Sequence, residues 1–148
     1  MENSDKFYDE SVYENDEVAK AAFENFGIRY LYPWQRMVIA NILEAFEFKD
    51  CEEDDFDSFC KGRQIVLLPT GAGKSLCFQV PALAKPGICI VVSPLIALIK
   101  DQVQNLNKNG IKALAVYSGM NYSQIDAALD NAIYGDYKFL YVSPERLQ

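Results

Sequence analysis

An α/β fold with a parallel sheet follows from three features of this chain. After Arg63, short apolar segments alternate with amphipathic ones at the spacing of strand–helix units. One of them, Ile88–Ser93, reads as an apolar strand without the polar-out alternation of a half-solvated one. A glycine-rich loop joins the first apolar segment to the helix that follows it. Right-handed crossovers between parallel strands place helices on both sheet faces, giving a three-layer sandwich. A short helical segment precedes it.

The elements are taken in chain order. Residues 1–14 read as a loose acidic tail, and residues 15–63 as a helical segment. Asn15 is the expected cap of a first helix, with Asp16 and Glu17 in the turn where the helix dipole favours anions. Ala19, Ala22, Phe23 and Phe26 recur as one buried face, and Gly27 suits the left-handed position past the end. A second helix starts at Pro33 and carries the stripe Ile39, Ile42, Leu43 and Phe46. Asp50, Glu52, Glu53, Asp54, Asp55 and Asp57 then repel one another, which favours a solvated surface insertion. The competing reading, a divalent-ion site, lacks the glycine and ligand spacing of a calcium loop.

Residues 64–148 hold the α/β part. Gln64–Pro69 is a predicted strand, and Gly73 to Ala84 a helix that Pro81 bends or ends. Ile88–Ser93 is the second strand. Leu95, Ile99, Val103 and Leu106 mark a helix stopped by Asn109-Gly110. Ala113–Tyr117 is the third strand. Ile125, Ala128, Leu129, Ala132 and Ile133 face inward from a helix, with Ser123 and Asp126 as its capping box and Gly135 at its end. Phe139–Val142 is the fourth strand.

Composition narrows the function. Of 148 residues, 50% are apolar and 24% charged, an ordinary globular balance. No stretch suits a membrane span, and Met1–Glu17 lacks the basic start and apolar run of a signal peptide, so the expectation is a cytoplasmic protein with no membrane partner. Four cysteines without a Cys-x-x-Cys pair, and no histidine, argue against zinc. Cys77 and Cys89 lie among apolar residues and read as buried thiols; a Cys51–Cys60 disulfide does not suit a reducing compartment. The net charge of −7 disfavours nucleic acid at first sight. Residues 1–62, however, carry 6 positive and 16 negative charges, and residues 63–148 carry 8 positive and 5 negative. The acidity belongs to the front of the chain, and a local basic stripe is what phosphate contact needs.

The strongest chemical signal is Thr70-Gly71-Ala72-Gly73-Lys74-Ser75 between a strand and a helix. Triphosphate binding needs backbone N–H groups turned inward around the anion, and small residues let the loop curl. The helix N-terminus adds partial positive charge. Lys74 reaches the β- and γ-phosphates, and the Ser75 hydroxyl can ligate Mg²⁺. The general pattern wants glycine at position 68, where this chain has Leu68. ATP and Mg²⁺ are the ligands expected. Ser93-Pro94 and Ser143-Pro144 each follow a strand, on the sheet edge where ligands of open α/β sheets bind. For Leu95, Leu98 and Ile99 packing is the better reading. For Ser93 and Lys100 a nucleic-acid role and a surface role both stand, and the repeat at Ser143–Arg146 favours the former.

Together these segments resemble the RecQ family of superfamily 2 DNA helicases. Leu67–Pro81 resembles its motif I, Val91–Val103 its motif Ia and Phe139–Leu147 its next DNA-side motif. The resemblance covers roughly residues 18–148 apart from the acidic insertion. It implies an incomplete RecA-like domain whose parent unwinds DNA 3′ to 5′ with ATP, in recombination and repair. It places Ser93, Lys100, Ser143 and Arg146 on the DNA side, facing a single strand or a duplex junction. Family members also carry an adenine motif, here Phe26-Gly27 and Leu31-Tyr32-Pro33-Trp34-Gln35, in which Gln35 matches the residue that reads the adenine edge. Tyr32 stands where the family has arginine and Ile28 where an aromatic is common; for Tyr32 and Trp34 simple packing is an equal reading. No Asp-Glu pair follows Ser75. In the family that pair serves Mg²⁺ and the attacking water, and a second motor domain gives an arginine finger. The resemblance therefore implies a piece of a longer motor that binds ATP and is inactive in hydrolysis by itself. An RNA helicase or another translocase of the superfamily, and a silent ATP-binding interaction module, are the alternatives.

Overall fold

The computed structural model describes residues 16–47 and 63–147. The expected tail, the Asn15 cap, the acidic run 50–57, Cys51 and Cys60 lie outside the described residues. The chain forms two compact units that divide between Lys85 and Pro86.

The first unit is helical. Helix α1 spans Glu17–Phe26, α2 spans Pro33–Glu47 and α3 spans Lys74–Ala84. The cap of α1 is Asp16, whose Oδ1 accepts from the Val18 N–H at 3.1 Å and the Ala19 N–H at 3.0 Å. The expected cap at Asn15 is thus corrected by one residue. Asp16 directly precedes the first helical residue, and from there its carboxylate accepts from two of the first-turn amides that have no partner within the helix. Gly27 closes α1 at φ 66°, as its position in the sequence requires. Ala22, Leu31, Ile39 and Val80 form the core of this unit, with Val18, Phe26, Leu43 and Leu76 packed against them. Phe23 and Phe46, expected on the buried faces, are largely exposed. Helix α3 continues through Pro81, which is buried, to Ala84.

The predicted strand Gln64–Pro69 is not formed. The segment carries no ladder, and Ile65 and Leu67 are 91% and 90% exposed. Its anchors are local to this unit, including the Gln64 side-chain amide, which donates to the Val38 carbonyl at 3.1 Å. Apolar, β-branched sequence supplies the propensity for a strand, but strand formation needs a pairing partner.

The second unit is a parallel sheet between helices. Strand β1 is Cys89–Val92, α4 is Ile96–Lys108, β2 is Ala113–Val116, α5 is Tyr122–Tyr134 and β3 is Phe139–Val142, followed by a 3₁₀ turn at Pro144–Arg146. The order is β1-β3-β2, all parallel, with Val92 level with Val142 and Val116 level with Val142 on the other side. All four residues of β3 are buried, as a central strand covered on both faces demands. The pleat divides them. Leu140 and Val142 join Val116, Ala128, Ile125 and Leu114 on the α5 side. Tyr141 points the other way and its hydroxyl meets Gln102 Oε1 on α4 at 3.3 Å. β1 departs from the fully buried strand expected: it lies at the sheet edge, with Ile90 60% and Val92 50% exposed.

The turns are legible in part. Asn109 and Gly110, at φ 77°, end α4 as expected. The capping box of α5 is Asn121 with Gln124, two residues before the expected Ser123–Asp126 pair: the Gln124 N–H donates to Asn121 Oδ1 at 2.9 Å and the Asn121 N–H to Gln124 Oε1 at 3.0 Å. Both pairs have the same three-residue spacing, and the reciprocal bonds choose between them. Cys77 and Cys89 are both free thiols, Cys77 fully buried and Cys89 partly. Burial raises the pKa of each above the ordinary thiol value; at Cys89 the charge of Lys138 opposes that shift.

Candidate functional site

The first unit brings the glycine loop and the Phe26–Gln35 motif together. Pro69 to Gly73 turn tightly, with the Ala72 N–H donating to the Pro69 carbonyl at 3.3 Å. Gly71 and Gly73 hold φ 82° and 73°, a left-handed backbone that side chains resist. Gly73 is also the N-cap of α3, so the loop delivers Lys74 and Ser75 directly into the helix's first turn, at the positive end of the helix dipole. Thr70, Gly71 and Lys74 are exposed, Ala72 and Ser75 partly so. Lys74 Nζ donates to the Leu68 carbonyl at 2.9 Å and to the Pro69 carbonyl at 3.3 Å. The ammonium therefore lies over the loop it belongs to, held by two neutral acceptors that an anion can outbid.

Gln35 is 2% exposed and its amide is engaged at both ends. Oε1 accepts from the Tyr32 N–H at 2.9 Å, and Nε2 donates to the Gly73 carbonyl at 3.3 Å. A Cβ added at Gly73 would come within 2.8 Å of that Nε2. Sequence spacing gave no sign of this link across 38 residues. Beside it, the Tyr32 and Trp34 rings stack at 5.9 Å with an interplanar angle of 11°, and Tyr30 meets Tyr32 edge-on at 5.8 Å. Tyr30 and Tyr32 are exposed and Trp34 partly so, which puts this ladder of rings at the surface of the unit. Arg36 Nη1 pairs with Asp16 Oδ2 at 2.7 Å and ties α2 to the cap of α1. At Asp16 burial raises the carboxyl pKa, but the Ala19 N–H, the hydrogen bond and charge of Arg36, and the Val18 N–H outweigh it, and the net pKa lies below the ordinary value.

In the second unit Ser93, Tyr117 and Ser143 follow directly on the carboxyl ends of β1, β2 and β3. The Ser93 N–H donates to the Val142 carbonyl at 3.1 Å and the Ser143 N–H to the Val116 carbonyl at 3.0 Å, so both serines lie on one sheet edge. Ser93 Oγ accepts from the Leu95 N–H at 3.4 Å at the start of α4. Lys100, exposed on α4, places Nζ 5.0 Å from the centroid of the Tyr117 ring. Tyr117 was missed in the sequence, where it reads only as the end of a strand.

The N-terminal ring motif, the glycine loop and the serine-proline strand ends occur in order along a chain that matches the DEAD/DEAH box helicase family model over residues 32–148. The chain belongs to the DEAD/DEAH box helicase family. Within it the similarity is to RecQ proteins, as the motifs imply. The chain is 47% identical over 112 residues to the ATP-dependent DNA helicase RecQ of Bacillus subtilis, covering 74% of this chain and 19% of that protein. It is 38% identical over 116 residues to the protein of the same name from Haemophilus influenzae, covering 78% and 19%. The ATP-dependent DNA helicase Q-like 4B of Arabidopsis thaliana is 44% identical over 122 residues, covering 78% and 11%. This helicase-family chain spans about a fifth of the length of the bacterial relatives it matches. Its described residues form part of a RecA-like α/β domain, and no helix among them is long and apolar enough to cross a membrane.

Proposed function

We propose that the chain is the ATP-binding front part of a RecQ-type DNA helicase motor, which couples ATP hydrolysis to 3′ to 5′ unwinding in recombination and repair. The observation that carries this reading is the hydrogen bond from Gln35 to Gly73, which joins a glutamine suited to an adenine edge with a glycine loop suited to phosphates. The triphosphate lies against the amides of residues 71–75. Lys74 leaves the Leu68 and Pro69 carbonyls for the β- and γ-phosphates, exchanging neutral acceptors for charged ones. Thr70, Ala72 and the two glycines keep the loop open enough for that approach.

The Ser75 hydroxyl, in the first turn of α3, is a hard oxygen donor beside the phosphate position and fits Mg²⁺, which takes one or two protein oxygens together with phosphate oxygens. When bound, the ion neutralises charge developing between the β- and γ-phosphates. Beyond its bonds to Tyr32 and Gly73, the Gln35 amide keeps a second Nε2 hydrogen and a second Oε1 lone pair, and with these it selects adenine by offering both a donor and an acceptor. DNA, as a single strand or at a duplex junction, lies along the edge carrying Ser93, Lys100, Ser143 and Arg146. The remainder of the motor, with a second RecA-like domain, is the partner that completes catalysis, and the protein works in the cytoplasm.

Calorimetric titration with ATP–Mg²⁺ and with GTP–Mg²⁺ tests the nucleotide reading. ATP binds and outcompetes GTP; equal competition by the two removes the adenine assignment. Titration with labelled single-stranded DNA and RNA of one sequence tests the polymer, and preference for RNA overturns the DNA reading.

A further inference from the structure

Ser143 and Arg146, the two residues of the DNA edge furthest along the chain, direct polar groups at the protein itself. Ser143 is 0% exposed. Its Oγ accepts from the Ser118 N–H at 3.2 Å. Arg146 lies on the surface, with Nε donating to the Tyr117 carbonyl at 3.3 Å and Nη2 donating to the Met120 carbonyl at 3.1 Å. Those two carbonyls bracket one turn. The Met120 N–H donates to the Tyr117 carbonyl at 3.3 Å, and Gly119 takes φ 98°, the positive value that such a turn needs at its third residue. The Tyr117 N–H points at Met120 Sδ, 3.3 Å away. The same Tyr117 ring lies under the Lys100 ammonium.

We propose that Arg146 is a positioning residue: with Ser143 it clamps the Tyr117–Met120 turn, and through the Tyr117 ring it sets the Lys100 ammonium that contacts DNA phosphate. The proposal rests on the reading of this edge as the DNA side. Its physical basis is the shape of the guanidinium. A rigid planar fork can donate to two carbonyls three residues apart, whereas a lysine ammonium keeps the charge but lacks the planar fork. A phosphate ligand can also use the fork, but losing one lowers the salt dependence of DNA binding, whereas losing a clamp on two neutral carbonyls does not.

Two measurements on the 148-residue chain separate these roles. The first is amide hydrogen exchange without DNA. Arg146→Lys and Arg146→Ala should both speed exchange at Ser118, Gly119 and Met120 while the amides of β3 stay protected. Unchanged exchange in the turn overturns the clamp. The second is binding of a labelled single-stranded oligonucleotide across a salt series. Each lost phosphate contact lowers the slope of log K against log salt by about 0.7. Lys100→Ala should show that loss. Arg146→Lys and Arg146→Ala should instead weaken binding about fivefold, the order of one hydrogen bond's worth, at an unchanged slope. A slope lowered by about 0.7 in Arg146→Ala makes Arg146 a phosphate ligand and overturns the proposal, whatever the affinity of Arg146→Lys. If the unmutated chain binds DNA without salt dependence, or Lys100→Ala changes nothing, the reading of the edge falls. The exchange data then still decide whether the clamp exists.

Discussion

Lys74 carries the one full positive charge in the glycine loop, and its Nζ rests on the Leu68 and Pro69 carbonyls. Those contacts are exposed and neutral, so removing them costs the fold little. Lys74→Ala should abolish ATP binding in calorimetry while the circular-dichroism spectrum and the ligand-free melting temperature stay nearly unchanged. Unchanged nucleotide affinity would refute the loop's role. Gln35 is a different case, because its amide is buried between the Tyr32 N–H and the Gly73 carbonyl. Gln35→Ala leaves both without that partner, at roughly 1–3 kcal/mol for groups that stay buried. It should therefore both narrow the preference for ATP over GTP and lower the melting temperature, and a variant that does only the second marks Gln35 as structural. The type of residue at position 35 was legible in the sequence. The contact with Gly73 was not, because it depends on the packing of α2 against α3.

The elements whose signals are local were legible: Gly27 past α1, Pro33 opening α2, Gly110 past α4 and the four apolar residues of β3. Errors arose where a choice depended on partners elsewhere. Asn15 and Asp16 both suit a cap, as do the pairs starting at Asn121 and Ser123, and only realised hydrogen bonds distinguish them. Residues 64–69 have a strand's composition but no ladder. Asp16 makes the cap of α1 testable by pH. Its folded pKa is depressed, so its stabilisation is fully present above the ordinary aspartate range and is lost as pH falls through the lower folded value. Acid melts should show the unmutated chain losing stability in that window. Asp16→Ala should cost about 1 kcal/mol at neutral pH, the usual worth of a cap, and flatten that part of the acid curve. An identical acid profile in the variant would show that Asp16 does not hold α1.

At the scale of the whole chain, binding and turnover come apart. In the proposed function the glycine loop, Gln35 and Ser75 supply contacts to base, phosphates and Mg²⁺, while the 148 residues contain no Asp-Glu pair after Ser75. Positioning and charge stabilisation drive phosphoryl transfer, and a finger arginine alone is worth ~10³–10⁵ in rate. The chain should thus bind ATP–Mg²⁺ without hydrolysing it. Binding to the folded state alone stabilises by mass action, roughly 1.4 kcal/mol at ten times the dissociation constant. For a domain of this size that raises the melting temperature by about 3–6 °C. Single-stranded DNA should add a smaller, salt-sensitive shift, because the basic side chains on its edge are few. Thermal melts with and without ATP–Mg²⁺, paired with phosphate-release assays in the presence and absence of DNA, check both halves. A shift that disappears in Lys74→Ala, with no phosphate release, agrees with a binding fragment. DNA-stimulated phosphate release that Lys74→Ala abolishes would mean that these 148 residues hold a water-activating group of their own, and the acidic side chains Asp101 and Glu145, on α4 and in the 3₁₀ turn after β3, would be the first to substitute.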